Sequence, residues 1–409
     1  MFNDSFFSGN RAALRQTCTA DYILLSANGM VQKSADLVFP FRQDSNFWYL
    51  TGSNIADALL LIDVKNGVDT IILPERQKHR DMWEGAIDTA ALQKTSGVHE
   101  VLQYEEGTAR LKELAAKKPK IGTIVPDIAY LPAYGMHLNP QKLVFRNRLW
   151  RLFGKANLVD IRTDMARLRQ VKQPAELEAI QKAVDITADS LAALKKEIGT
   201  MRTERDVDIF LSHQFRLGGA SGHGYDPIVG SGVHAATIHH ETNDGSLVKD
   251  SLLLMDVGAL YNGYSADISR TYVIGTPTAK QRAVYDAVKA AHGFALSLLK
   301  PGVVIREYQK QVVTYLVDAL ISAGIYDAAH REQYEKEYPH LISHHLGLDV
   351  HDAGMYDDPL VEGCVVTVEP GVYLAEDGIG VRIEDDIVIT KTGAKNLSSH
   401  LSDDLLYLS

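Results

Sequence analysis

Four acids and a histidine carry the chemistry that this sequence suggests. Asp256 ends the apolar run Leu252-Leu253-Leu254-Met255, and Asp267 falls inside a second strand-like run from Tyr264 to Thr271. Glu369 ends Cys364-Val365-Val366-Thr367-Val368 and is followed by Pro370-Gly371. Proline cannot donate to a ladder, so the strand stops there and leaves the carboxylate at its rim. Glu384 lies in Gly380–Ile389, where alternation puts Val381, Ile383 and Asp385 on one face and Arg382 and Glu384 on the other. Singly, each acid has an ordinary explanation, such as a turn cap or an ion pair between Arg382 and Glu384. Together they need more, because a buried carboxylate is costly unless it is paired or bound to a cation.

The histidines shift the balance further. Of 15, seven fall in two windows: His234, His239 and His240, then His340, His344, His345 and His351. Histidine clusters beside buried acids read as a metal or acid–base site. The expected ligands are Asp256, Asp267, His344, Glu369 and Glu384. They are hard-to-borderline donors without a thiolate, which suits Mn²⁺, Co²⁺, Zn²⁺ or Fe²⁺ better than a structural zinc. Four carboxylates carry too much charge for one divalent ion. Two cations about 3.5 Å apart would balance them, lower the pKa of a bound water and polarise a carbonyl. That is hydrolase chemistry.

The elements that must hold these residues divide the chain. Its 409 residues exceed a single ordinary core, so two domains are expected, 1–168 and 169–409. The first reads as α/β: strands at Tyr22–Ser26, Ala58–Val64, Asp69–Pro74, Lys120–Val125 and Leu158–Ile161, with a helix over Thr108–Lys117. The aromatic stretch Phe39–Gly52 reads either as a core strand with a satisfied arginine or as a family signature. No glycine-rich phosphate loop follows any of these strands. The second domain reads as α+β. Helices start at Pro174 and after Thr203 and cover Val284–Leu299 and Ile305–Ala323, with strands at 251–257, 264–274, 363–369 and 380–390. The formal net charge of -10 argues against nucleic acid or an anionic membrane as the main partner. Cys18 and Cys364 offer no metal or redox spacing, and no signal peptide or membrane helix is evident, so a cytoplasmic enzyme is expected.

Five stretches then resemble one family. Leu254–Gly258, Ser265–Thr271, Ser343–Asp352, Thr367–Tyr373 and Gly380–Asp386 are similar to the pita-bread metallopeptidases, and within them to the aminopeptidase P (Xaa-Pro aminopeptidase) group of bacterial cytoplasmic type. Phe41–Gly52 is similar to that group's N-terminal domain, so the resemblance spans both domains. It implies two divalent ions, usually Mn²⁺. Asp267 and Glu384 would bridge them, with Asp256 on one and His344 with Glu369 on the other. A hydroxide between the ions would attack the carbonyl before proline, with Glu369 relaying its proton. His351 and His239 match histidines that contact the scissile amide and the developing oxyanion, either of which could stabilise charge or pass a proton to the leaving nitrogen, and His340 matches a further active-site histidine. Tyr373 and Arg382 would orient Asp256. Tyr225 would line the substrate pocket, as His340 and Arg382 would.

The implied substrates are peptides with proline second, and the implied assembly is a homodimer or homotetramer. Two features depart from the pattern. Leu341 stands where the family commonly has glycine, which narrows the substrate side. Trp83 resembles an aromatic that reaches a neighbouring subunit's site, although the residues after it do not match. Two other readings share the fold: a prolidase that cuts only Xaa-Pro dipeptides, and a catalytically silent binding protein. Proteins of the latter kind lose metal ligands, and all five positions are intact here.

Overall fold

The structure is a computed structural model, which describes residues 2–77, 80–125 and 136–408. The chain divides into two compact units, Met1–Leu168 and Arg169–Ser409.

The first unit is an α/β domain on a six-stranded sheet. Its strand order is Glu100–Leu102, Asp69–Ile72, Leu59–Asp63, Tyr22–Ser26, Ile121–Thr123, Leu158–Asp160. The three central strands are antiparallel to their neighbours in sequence, and the outer ones join in parallel. The expected hairpin forms at Asn66-Gly67: Gly67 takes φ +72°, and Asp63 accepts from the Asn66 amide at 2.9 Å. Leu24, Leu61, Ile72 and Ile121 from the sheet pack with Leu111, Phe145 and Leu149 from the helices Tyr104–Ala116 and Pro140–Phe153.

Phe41–Gly52 corrects the expectation of a strand. Ser45–Thr51 is a helix, capped by Asp44, whose side chain accepts from the Phe47 amide at 2.8 Å. Gly52 closes it at φ +64°, and any Cβ there would stand 2.4 Å from the Phe7 ring. The aromatic residues favour strand by propensity, but the Asp cap and the glycine stop prevail. Arg42 is exposed, while Gln43 is the buried polar residue and accepts from the Asn28 amide. Trp83, on the short helix Arg80–Glu84, is 82% exposed.

The second unit is α+β. Pro174 starts the helix Pro174–Glu197 with a Gln173/Glu176 capping box, and Thr203 caps Glu204–Leu217. These and the pair Ala279–Leu298 and Ile305–Ser322 pack on small, mostly antiparallel sheets. Two of the expected strands are interrupted. The 264–274 run breaks at Ala266-Asp267, and the 380–390 run breaks at Ile383-Glu384. Among the described residues no helix is long and apolar enough to cross a membrane.

Candidate active site

The interruptions place the acids. Ser251–Val257 and Ile268–Ile274 pair antiparallel, with Asp256 opposite Ser269 and Val257 opposite Ile268. Just past that pair the chain needs glycine: a Cβ on Gly258 would stand 1.8 Å from the Ala266 carbonyl oxygen. This close approach brings Asp267 beside Asp256. The Asp267 amide leaves the ladder and donates to Asp386 Oδ2 at 3.0 Å.

A second interruption positions the glutamates. Val365–Val368 pairs with Asp385–Ile389, and Gly371–Leu374 with Ile379–Arg382. Between the two ladders, Glu369 and Glu384 are left free to turn inward. Their amides bond elsewhere, Glu369 to the Ile342 carbonyl (2.9 Å) and Glu384 to the Ser269 carbonyl (3.1 Å). The segment that brings His344 runs beside 365–369: the Leu346 amide donates to Val365, and the Thr367 amide donates to His344.

His344 Nδ1 lies 3.0 Å from the His345 carbonyl, so Nδ1 carries the proton and Nε2 faces the acids. Nε2 is 3.3 Å from both Asp267 Oδ2 and Glu369 Oε1. Ligand atoms of Asp267, His344 and Glu384 all lie within 4.8 Å of one another. Burial opposes charge on the His344 ring, but Asp267 and Glu369 outweigh it and push its pKa up to about 9. Burial, with the neighbouring acids, pushes Glu369 up to about 7, Glu384 well above the carboxylate range, and Asp267 upward. Asp386 is raised for the same reasons, and its Oδ1 is buried without a hydrogen-bond partner. Acids that crowd together this way cannot all ionise unless cations join them. The donor set, carboxylates with one imidazole nitrogen, fits hard-to-borderline divalent ions.

A web of donors orients this cluster. Asp256 accepts from Tyr225 OH at Oδ1 (2.5 Å) and from Arg382 Nη2 at Oδ2 (2.6 Å). Arg382 also donates to Tyr373 OH (2.6 Å) and to Ser269 Oγ (2.7 Å). Ser269 Oγ in turn donates to Glu384 Oε2 at 2.6 Å. The ion pair expected between Arg382 and Glu384 is therefore the lesser contact, at 3.8 Å. Tyr225, expected to line the substrate pocket, has its hydroxyl on Asp256. His340 Nε2 lies 3.0 Å from Tyr373 OH.

The histidines separate as their neighbours demand. His351 is exposed, with its ring 4.3 Å from that of His344. His239 is exposed, whereas His240 turns to Glu204 at 3.0 Å. Although His351 is open to solvent on one side, the desolvation of its ring, then the charges of His344 and His239, pulls it down to about 4. Burial likewise takes His340 to about 4, with Arg382 and His239 contributing. Leu341 is 43% exposed and the following Ile342 is buried. Three contributors escaped the sequence reading. Ser269 and Asp386 are described above, and Thr367 Oγ1 accepts from the His344 amide (3.1 Å) and lies 3.3 Å from Glu369. A hydroxyl at a ligand's i±2 position was the available signal for Ser269 and Thr367.

Known proteins share this arrangement of chain. The model of metallopeptidase family M24 matches residues 178–391, and that of the aminopeptidase P N-terminal domain matches 7–123. The Xaa-Pro aminopeptidase of Escherichia coli is 32% identical, over 95% of this chain and 93% of its own. A structure of a putative aminopeptidase P from Bacillus anthracis superposes with a TM-score of 0.88 at 26% identity, covering 99% of this chain and 97% of that one. Aminopeptidase P from E. coli in its low-pH form gives 0.86 at 30% identity, covering 99% and 97%. With a buried acid–histidine cluster of metal-ligating type in the matched region, this chain belongs to metallopeptidase family M24 and is a metal-dependent peptidase with an aminopeptidase P N-terminal domain.

Proposed function

We propose that the chain removes the first residue from peptides that carry proline second, by hydrolysing the bond before proline. The reading is supported by the crowding of Asp267, His344, Glu369 and Glu384, with Asp256 tied to Glu384 through Arg382 and Ser269, in a chain similar to an Xaa-Pro aminopeptidase over 95% of its length. These five residues would hold two divalent cations, with Mn²⁺ the first choice. Bound there, the cations would polarise the scissile carbonyl and lower the pKa of water by several units.

The chain's own groups do the rest. Glu369, a carboxylate 3.3 Å from His344 at the edge of the cluster, is suited to take a proton from water and pass it on. His351 and His340 are pulled to about 4, so both are neutral at pH 7. A neutral imidazole N–H on His351 can support a developing oxyanion without bringing net charge, and the exposed His239 can face the leaving nitrogen. Arg382, tied to Tyr373 and Ser269, fixes Asp256. His340 braces Tyr373. Proline makes the scissile bond a tertiary amide without an N–H, so recognition must come from the ring's shape.

The test compares three peptides with the Mn²⁺-loaded protein: Xaa-Pro-Yaa, Xaa-Ala-Yaa and the dipeptide Xaa-Pro. Release of the first residue from Xaa-Pro-Yaa alone is expected. Cleavage of the dipeptide alone would make the protein a prolidase, and preference for Xaa-Ala-Yaa would remove proline from the reading. The reading extends to a cytoplasmic enzyme assembled as a homodimer or homotetramer, on the resemblance of both domains to their families.

A further inference from the structure

The loop that carries His239 hangs on one buried carboxylate outside the metal cluster. Glu204 opens the helix Glu204–Leu217 and is fully buried. Its Oε1 accepts from the Ser231 amide (2.8 Å) and His234 Nδ1 (2.9 Å). Its Oε2 accepts from the Gly245 amide (2.7 Å) and His240 Nε2 (3.0 Å). Burial pushes its pKa up, but those four donors more than offset this and hold it below the usual carboxylate range. The His234 and His240 rings stack at 4.1 Å. Gly245 leaves room for them, since a Cβ there would stand 2.6 Å from His234 Nδ1.

One acid therefore grips the loop at its start, its end and two points between. A carboxylate offers about four lone-pair directions, and all are taken. The Glu204–His234–His240 group is thus a hydrogen-bond clamp, without a free direction for a cation. On its other side the loop rests against the site. The Ala235 carbonyl lies where a Cβ on Gly380 would be 1.7 Å away, so its backbone sits directly on the Ile379–Arg382 strand. His239 follows this seated turn and directly precedes clamped His240. It is exposed and lies close enough to His340 and His351 to influence both electrostatically.

We propose that Glu204 is the positioning residue for His239, acting through His240 and His234 to hold the loop that presents His239 to the peptide. This rests on the reading, given above, that His239 meets the substrate. Sequence proximity alone does not fix His239; its neighbour's ring is locked on Glu204, which holds the backbone from which His239 projects.

The test is steady-state kinetics of Xaa-Pro-Yaa hydrolysis by the metal-loaded full chain. The variants are E204Q, H240F, H240Q, H239A and E204Q/H239A, with metal content measured for each. H240F keeps a ring for the stack but has no donor, and H240Q keeps a donor. A misplacement of about 1 Å costs about 100-fold in rate, so E204Q and H240F should lose about 10- to 100-fold in kcat while KM and metal content stay close to wild type. H240Q should recover most of the loss, and E204Q should add nothing once His239 is alanine. Wild-type kcat in H240F, or independent multiplying losses for E204Q and H239A, would overturn the clamp while leaving the role of His239 intact. Wild-type kcat in H239A would instead overturn the reading of His239, and the clamp's role with it.

Discussion

Arg382 does more at the residue scale than balance charge. Its planar guanidinium reaches Asp256, Tyr373 and Ser269 at once, at 2.6, 2.6 and 2.7 Å. A lysine offers one point charge and cannot span three acceptors. Arg382→Lys should therefore lower kcat/KM by about 100-fold, since each lost charged hydrogen bond is worth about 1.5–3 kcal/mol. Peptide kinetics at saturating Mn²⁺ check this, and a loss below threefold would show that Asp256 is fixed by Tyr225 alone. Glu369→Gln keeps the shape but loses the proton carrier, so turnover should fall by about 100- to 10,000-fold with the protein still folded. Full activity in that variant with metal bound would exclude Glu369 as the proton relay. The acids were legible in the sequence because burying a carboxylate is expensive and each ended or interrupted an apolar run. Ser269 and Asp386 were not. A serine in a strand has many ordinary partners, and Asp386 was visible inside Glu384-Asp385-Asp386 with nothing to say that its carboxylate would take the Asp267 amide.

At the scale of elements, the site is built from broken strands. Period-two alternation in Gly380–Ile389 correctly puts Arg382 and Glu384 on a common side, where both meet Ser269 Oγ. It could not show that the ladder stops at Ile383-Glu384. That break comes from Pro370 across the pair and from the Glu384 amide bonding Ser269 instead. The break at Asp267 was hidden for a similar reason, because Gly258 allows a 1.8 Å approach that no pattern of hydropathy encodes. The Ser45–Thr51 helix was missed because aromatic propensity outweighed its caps in the reading. The close approach has a testable consequence. Gly258→Ala must push the Ala266 backbone away and separate Asp256 from Asp267. We expect a loss of about 1–3 kcal/mol in stability, read by thermal unfolding of the metal-free protein. Calorimetry should also show Mn²⁺ affinity weakened by tenfold or more. Unchanged affinity would show that the two aspartates do not depend on this contact.

For the whole molecule, the division into an α/β unit and an α+β unit was legible from strand–helix alternation in one half and clustered acids and histidines in the other. The cluster also sets how the molecule responds to pH. In the metal-free protein His344 is raised to about 9, Glu369 to about 7 and Glu384 well above the carboxylate range, so the cluster carries protons at pH 7. Cations bind the deprotonated forms, so loading must expel these protons. Mn²⁺ affinity should climb as pH rises from about 6 towards 9, with net proton release. Titration calorimetry in buffers of different ionisation enthalpy would detect it, and a flat profile would mean the cluster is already deprotonated. The most direct measurement of the central claim is hydrolysis of Xaa-Pro-Yaa by protein stripped of metal and then titrated with Mn²⁺. The account predicts no turnover without metal and full recovery near two equivalents per chain. Full-rate turnover by protein shown to be metal-free would contradict it.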